Sequence, residues 1–144
     1  MITDFDKETA PLNELEQKAL IIIADTFNGK PRGRDNAVSG DEVARGMMRT
    51  FDCFALRDKN GWRKPYLSGP RVRKIINRIR VEGKVKCLLA NNKGYYVSDD
   101  VCEVRDFLRS LKEREKAIHQ VYDAIKKQAH EMFPNEPAVL MEIE

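Results

Sequence analysis

Hydrophobic residues recur at the three- and four-residue spacing of an α-helix in the first half of this chain. One such stretch covers residues 12–27, and its apolar positions are Leu12, Leu15, Ala19, Ile22 and Ile23. Asn28 and Gly29 follow it and end the helix. A second stretch begins at Ser39, where Ser39 and Glu42 have the spacing of a capping box. The pattern therefore predicts two amphipathic helices joined by a loop.

A third helix is predicted over residues 68–82. Ser68 is a favourable N-cap residue, and Pro70 lies in the first turn, where its missing N–H leaves no hydrogen bond unmade. Gly83 ends the helix. Its apolar stripe consists of Val72, Ile75, Ile76 and Ile79. We expect this stripe to pack into the core.

Two short strands joined by a tight turn follow the third helix. They are predicted at residues 85–90 and 95–98, because the intervening residues 91–94, Asn-Asn-Lys-Gly, tolerate the positive φ of hairpin turns. We expect Cys87 to be a small core residue on the first strand. Residues 52–67 are less regular, so we predict a long loop there, with Trp62 packing it onto the domain.

A long helix is predicted from Asp99 or Asp100 to about Met132, because apolar residues alternate at steps of three and four. A helix of about 33 residues spans about 50 Å, which exceeds what a small domain needs to cover its core. We expect its first half to pack on the domain and its second half to form a homodimer. The alternative is a monomer whose helix folds back near residues 112–116. The predicted dimer seam contains Leu108, Leu111, Ile118, Tyr122 and Ile125.

These elements divide the chain into four segments. We predict a flexible N-terminus at residues 1–11, a winged-helix domain at 12–98, a long C-terminal helix at 99–133 and a tail at 134–144. The order of three helices, a hairpin and a further helix is that of a winged helix. The predicted fold class is therefore mainly α with a small β-hairpin, a winged helix-turn-helix followed by a long C-terminal helix.

Positive charge is concentrated around the third helix. The segment from Arg57 to Lys86 contains eleven Lys and Arg residues but only two acidic residues, Asp58 and Glu82. The whole chain has a net charge of only +3, so the rest of it is net negative. A local positive field attracts a polyanion, and nucleic acid is the commonest one in cells. A purely solvated basic surface is the alternative interpretation.

Helical geometry predicts which of these side chains face outward from the third helix. With its apolar stripe turned inward, the outward residues expected to enter a DNA groove are Arg73, Lys74, Asn77 and Arg78. Arg can bind guanine O6 and N7 as a fork, and Asn can bind adenine N6 and N7. Phosphate contacts are expected from Arg63, Lys64, Ser68, Arg71, Arg80, Lys84 and Lys93.

The segment from Leu67 to Arg80, LSGPRVRKIINRIR, followed by Gly83 and then by NKGYYV at residues 92–97, resembles small winged-helix proteins common in phages and prophages. The resemblance covers about Ser39 to Ser98 and implies DNA binding in regulation or replication. The chain departs from that pattern in one respect. About sixteen residues separate the second and third helices, whereas a simple helix-turn-helix uses three or four. We expect this link to add contacts through Arg63 and Lys64.

No catalytic or cofactor chemistry is indicated by the residue types. His119 and His130 have no cysteine at ligand spacing, and there is no phosphate-binding glycine loop, so we expect no metal, no cofactor and no enzymatic activity. No apolar run is long enough to span a membrane. The first eleven residues lack the order of a signal peptide, and the three cysteines suit free thiols. We therefore expect a cytoplasmic protein.

Taken together, the residues favour a non-catalytic protein that binds double-stranded DNA. It would read DNA with the helix at 68–82 and the hairpin wing at 85–98, as a transcription regulator or a phage-type replication accessory factor. The alternative is a winged-helix module that binds an acidic protein partner through the same basic face. A third interpretation is binding of single-stranded or structured nucleic acid through the loop and hairpin. The sequence leaves open whether a small-molecule effector binds.

Overall fold

The computed structural model describes residues 9–141, so most of the predicted flexible N-terminus, residues 1–11, lies outside the described residues. The chain is mainly helical, with a small antiparallel hairpin and a long C-terminal helix, as predicted. Residues up to Val104 form one compact unit, and residues from Arg105 onward form a second. The helices are α1 Glu14–Asn28, α2 Gly40–Thr50, α3 Gly69–Glu82, α4 Val101–Met132 and α5 Pro137–Met141. The strands are β1 Ala55–Arg57, β2 Arg63–Pro65, β3 Leu88–Asn91 and β4 Gly94–Val97.

Local capping sequences determine where α1 and α2 begin. The Asn13 side chain accepts a hydrogen bond from the Glu16 backbone N–H at 2.7 Å, and the Glu16 carboxylate accepts from the Asn13 N–H at 3.0 Å. Ser39 and Glu42 form the predicted capping box at the start of α2. Each box satisfies two backbone donors that a helix terminus otherwise leaves unpaired. The helix starts can therefore be predicted from a few neighbouring residues.

The core of the first unit lies between α1, α2, α3 and the hairpin that follows α3. The predicted apolar stripe of α3 is confirmed, because all four of its residues are fully buried. They pack in one cluster with residues of the other elements, among them Ala19, Ile23, Phe27, Ala44, Met47, Phe54, Leu67, Val85, Leu88 and Val97. Burial of this apolar surface is the main force that holds the unit together.

The hairpin after α3 is formed by β3 and β4, which pair antiparallel with Asn91 opposite Gly94. The first strand begins at Leu88, three residues later than predicted, because Gly83 and Cys87 both adopt positive φ angles and turn the chain. Cys87 is exposed in this turn, so the prediction that it is a core strand residue is wrong. Val85 supplies the buried apolar side chain of the turn instead.

A third segment pairs with the edge of this hairpin. Val38, just before α2, exchanges two backbone hydrogen bonds of 2.8 Å with Tyr95 in β4. The approach is possible because residue 94 is glycine: its φ is 136°, and a Cβ atom there would lie 2.2 Å from the carbonyl oxygen of Val38. The loop between α1 and α2 is thereby attached to the hairpin.

The structure contradicts the predicted long loop at residues 52–67. After a turn of 3₁₀ helix at Asp52–Phe54, β1 and β2 form a second antiparallel hairpin, with Arg57 opposite Arg63. Phe54 is buried at its base. Trp62 does not pack the segment onto the domain, because its side chain is 74% exposed. We call residues 55–65 the inserted hairpin.

The second unit consists of the rest of α4 and of α5. From residue 105 to residue 140 no side chain is buried. The predicted seam residues of α4 are all exposed, and Ile118 is 70% exposed. No helix between residues 9 and 141 has both the length and the apolar character needed to cross a lipid bilayer.

Candidate nucleic-acid interface

The outer face of α3 carries exposed polar side chains in the middle of the helix. Arg73, Asn77 and Arg78 are all exposed, as helical geometry predicted. Ser68 is the N-cap residue and is also exposed, and its side chain makes no capping hydrogen bond. The face also contains an apolar residue, Val81, which is 82% exposed.

Lys74 does not belong to this outer face. Its side chain is buried, and its Nζ atom lies 2.9 Å from each carboxylate oxygen of Glu16 in α1. The cause is the packing of α1 against α3, which covers Lys74 and turns the buried Glu16 carboxylate toward it. The prediction that Lys74 faces a DNA groove is therefore wrong.

The burial of Lys74 divides the predicted groove residues into two groups. At 100° per residue, Arg73 and Asn77 lie about 40° apart around α3, whereas Arg78 lies about 140° from Arg73. Lys74 and the α1 surface that covers it fall between Asn77 and Arg78. Arg73 and Asn77 thus lie side by side on α3, whereas Arg78 lies on the other side of Lys74.

Arg71 and Arg80 are half-buried and are held by acceptors within the protein. Arg71 donates to the backbone oxygen of Tyr66 at 3.2 Å, and its guanidinium lies 4.1 Å from the centre of the Tyr66 ring. Arg80 donates to the backbone oxygen of Leu88 at 2.7 Å and to the Asn77 side chain at 3.3 Å. Arg80 therefore connects α3 to β3 and orients Asn77.

The inserted hairpin places basic residues on both of its faces. Arg63 donates to the backbone oxygen of Met48 at 2.6 Å, and Arg57 donates to the Asp52 carboxylate at 3.2 Å. Arg63 thus faces the end of α2, and Arg57 faces the 3₁₀ turn that follows α2. Lys64 alternates with Arg63 along β2 and lies on the opposite face. The turn at residues 58–61 is the only sequence signal for this element, because its strands are three residues long and too short to show a period.

Two clefts connect the inserted hairpin to the N-terminus of α3. One, of about 440 Å³, is lined by Lys64, Ser68 and Arg73, among others. The other, of about 670 Å³, is lined by Lys64, Ser68 and Arg71, among others. Because Lys64 and Ser68 line both clefts, β2 and the first turn of α3 share one continuous surface. The Asp41 carboxylate in the first cleft is neutralised by Arg45 at 2.8 Å.

The turn between β3 and β4 presents Lys93 to solvent. The Asn91 side chain accepts from the backbone N–H groups of Lys93 at 2.8 Å and of Gly94 at 3.2 Å, which closes the turn. Lys84, at the other end of the hairpin, is exposed too, and its backbone oxygen accepts from Asn28. Both lysines occupy exposed positions from which phosphate contact is possible.

A polar cluster holds the start of α4 within the first unit. The Ser98 hydroxyl donates to the Glu103 carboxylate at 2.7 Å, and Arg34 Nε donates to the same group at 2.8 Å. These two donors, Ser98 first, lower the pKa of Glu103 below its ordinary value of 4.5. They stabilise the ionised form. The cluster has the character of a structural ion pair.

Within residues 9–141, no three His, Cys, Asp or Glu side chains come together as a metal site requires. Comparison of the chain with protein-family models, with curated proteins and with solved structures gives no match in any of the three. The arguments about function therefore depend on the geometry of the surface described above.

Proposed function

We propose that this protein binds double-stranded DNA without catalysing a reaction, as a transcription regulator or a phage-type replication accessory factor. The observation that carries the proposal is the outer face of α3. It exposes Arg73 and Asn77, and Arg73 lines a cleft that Lys64 of the inserted hairpin also lines. Exposed arginine and asparagine on one helix face can read base edges, and surrounding cations can hold phosphates.

The arrangement of the first unit supports a winged helix-turn-helix. Three helices precede a hairpin, and Val38 between α1 and α2 pairs with that hairpin through Tyr95. In this proposal α3 is the recognition helix and the turn at Lys93 is the wing tip. The inserted hairpin replaces the short turn that normally joins the two helices of the motif. DNA contacts from that hairpin are an addition to the usual arrangement.

The proposed contacts differ in what they contribute. Arg73 and Asn77 contact base edges, so alanine at either position relaxes sequence preference by about 1–3 kcal/mol. Phosphates are held by Arg78 and by four other exposed residues, Lys64, Ser68, Lys84 and Lys93. Alanine at Lys93 therefore weakens binding to every sequence alike. Arg63, Arg71 and Arg80 add positive charge to the proposed DNA surface. They also hold this surface in place through their hydrogen bonds to backbone oxygens.

The exposed seam of α4 supports a homodimer. Its apolar residues follow the heptad spacing of a coiled coil, and none of the five seam residues is buried within the single chain. A second copy of the same helix would cover them. A two-fold dimer would bind paired or palindromic DNA sites.

Selection from a randomised duplex pool at two salt concentrations tests the DNA-binding proposal. We expect the protein to enrich one motif, with affinity that falls as salt rises because bound phosphates release counterions. The variant R73A/R78A should lose the motif. The matched control K18A/R49A removes two positive charges from exposed positions of α1 and α2 and should keep it. Equal losses in the two double variants would contradict base reading by α3.

One observation favours the alternative, a module that binds an acidic protein. Val81 places an exposed apolar side chain on the outer face of α3, and such a residue contributes more to a protein interface than to a phosphate contact. Competition distinguishes the two functions. Specific duplex DNA displaces heparin efficiently if α3 reads bases, whereas the two polyanions compete equally if the face only recognises negative charge.

A further inference from the structure

The indole of Trp62 lies largely in solvent. It is the single tryptophan of the chain, it lies next to the turn of the inserted hairpin, and 74% of it is exposed. Tryptophan is highly buried on average, because its large apolar surface is costly to leave in water. An exposed tryptophan therefore indicates a contact that the isolated chain does not make.

The exposure of Trp62 does not result from a loose loop. The Asp58 carboxylate accepts from the backbone N–H groups of Asn60 at 2.8 Å and of Trp62 at 3.0 Å. The backbone N–H of Asp58 donates to the Trp62 oxygen at 3.1 Å, which extends the ladder of the hairpin by one pair. Gly61 takes the positive φ, 82°, that the turn requires. The backbone of Trp62 is thus held while its side chain stays in solvent.

The alternation of side chains along the hairpin places Trp62 on the cleft side. Arg63 faces the end of α2 and Arg57 faces the 3₁₀ turn that follows it, as their hydrogen bonds show. Trp62 is two residues from Lys64, so the two share the opposite face. Lys64 lines both clefts at the N-terminus of α3. The indole therefore lies on the same side of the hairpin as the proposed DNA surface.

We infer that Trp62 stacks on a nucleobase of the bound DNA; this inference depends on the proposed DNA binding. An indole flanked by cations is the combination that binds exposed bases, since the ring covers the base and the lysines hold the adjoining phosphates. Lys59 in the turn and Lys64 in β2 are the exposed cations next to Trp62. The base is either unpaired before binding or is unstacked from the duplex as the protein binds.

Because Trp62 is the single tryptophan, its fluorescence reports on this site alone. The experiment titrates the full chain with three dye-labelled probes: a continuous duplex, the same duplex with a single-stranded overhang, and a single-stranded oligothymidine. Anisotropy of the dye measures binding, and quenching of tryptophan emission measures stacking. Selective quenching by the overhang probe identifies a base that is already unpaired. Equal quenching by the continuous duplex identifies a base that the protein unstacks.

Substitution provides the second readout. W62A should weaken binding to the quenching probe by about 5- to 150-fold, the measured range for one stacked base, and W62F should recover part of that loss. The control I21A removes an exposed apolar side chain from α1 and should bind like the unsubstituted protein. Since residue 62 is exposed, the variants should keep the melting temperature of the parent, which circular dichroism checks.

Two negative results have different meanings. If the probes bind by anisotropy while tryptophan emission is unchanged and W62A binds as well as the parent, the stacking inference is overturned and the proposed DNA binding stands. If no probe binds, the proposed function fails and the inference fails with it. Quenching of equal size by heparin would also overturn stacking, because heparin has no base.

Discussion

Lys74 and Glu16 place two opposite charges in the interior of the first unit. Both side chains are nearly inaccessible, and 58 residues separate them along the chain. Removing charged groups from water is costly, and their mutual attraction offsets that cost only while both partners are present. The pair therefore makes α1 and α3 depend on each other, and it removes from the proposed DNA surface a lysine that helical geometry alone assigns to it.

Breaking this pair from one side should destabilise the fold strongly. E16A leaves the Lys74 ammonium buried without its partner and also removes the acceptor of the Asn13 N–H in the capping box of α1, so the free energy of unfolding should fall by about 3–5 kcal/mol in urea denaturation. The double variant E16L/K74M keeps the volume without the charges and should recover most of that loss. A loss below about 1 kcal/mol in E16A would show that Lys74 reaches solvent easily.

Glu103 should give the stability of the protein a dependence on acid. Its folded-state pKa is lowered by Ser98 and Arg34, so its contribution is complete above the ordinary value of 4.5 and is lost as pH falls through the lower folded value. E103Q should therefore be less stable than the parent near neutral pH, and the difference should shrink below about pH 4.5. Urea denaturation across this range measures it. E113Q, at an exposed position of α4, should show no such trend.

At the scale of elements, the two hairpins of the first unit differ in what specifies them. The β3–β4 hairpin has a turn rich in Asn and Gly and strands with buried apolar residues, so its existence is predictable from local sequence. The inserted hairpin has strands of three residues, none of them buried, and its buried anchor, Phe54, lies outside them. Its pairing is supported by contacts to α2, such as Arg63 to Met48, which a local pattern does not contain.

Gly94 is the point at which the β3–β4 hairpin depends on a distant segment. G94A would need a φ that alanine avoids and would push its Cβ into the Val38 carbonyl. We expect a loss of about 1–3 kcal/mol from the backbone conformation alone, measured by thermal or urea unfolding. G46A is the matched control, because Gly46 lies inside α2 with open space around it and should gain about 0.5–1 kcal/mol. Similar effects at the two positions would contradict this account.

At the scale of the whole molecule, helix α4 begins in the first unit and continues into the second. The two units differ in whether they contain a buried core. The first unit has its own core, whereas residues 105–140 bury no side chain. A 32-residue helix with an exposed apolar seam is expected to associate, because leaving the seam in water costs about 25 cal/mol per Å² of apolar surface. Dimerisation would also double the number of proposed DNA-contacting faces.

Disrupting the seam should separate the dimer. Light scattering should give twice the chain mass of 16.6 kDa for the parent protein and the monomer mass for I118E/I125E, because buried glutamates oppose association. S110E/Q120E adds the same charge at exposed positions outside the predicted seam and should remain dimeric. A monomeric parent at micromolar concentration would rule out the dimer.

The sequence by itself determined the four main helices, the Ser39–Glu42 capping box of α2, the buried stripe of α3 and the β3–β4 hairpin. These features depend on residues a few positions apart, whose spacing and turn preferences act locally. Only the tertiary structure decided that Lys74 is buried against Glu16, that Val38 joins β4, and that residues 55–65 form a hairpin with Trp62 exposed. Those outcomes depend on which distant surfaces cover each other, and a local pattern carries no information about such contacts.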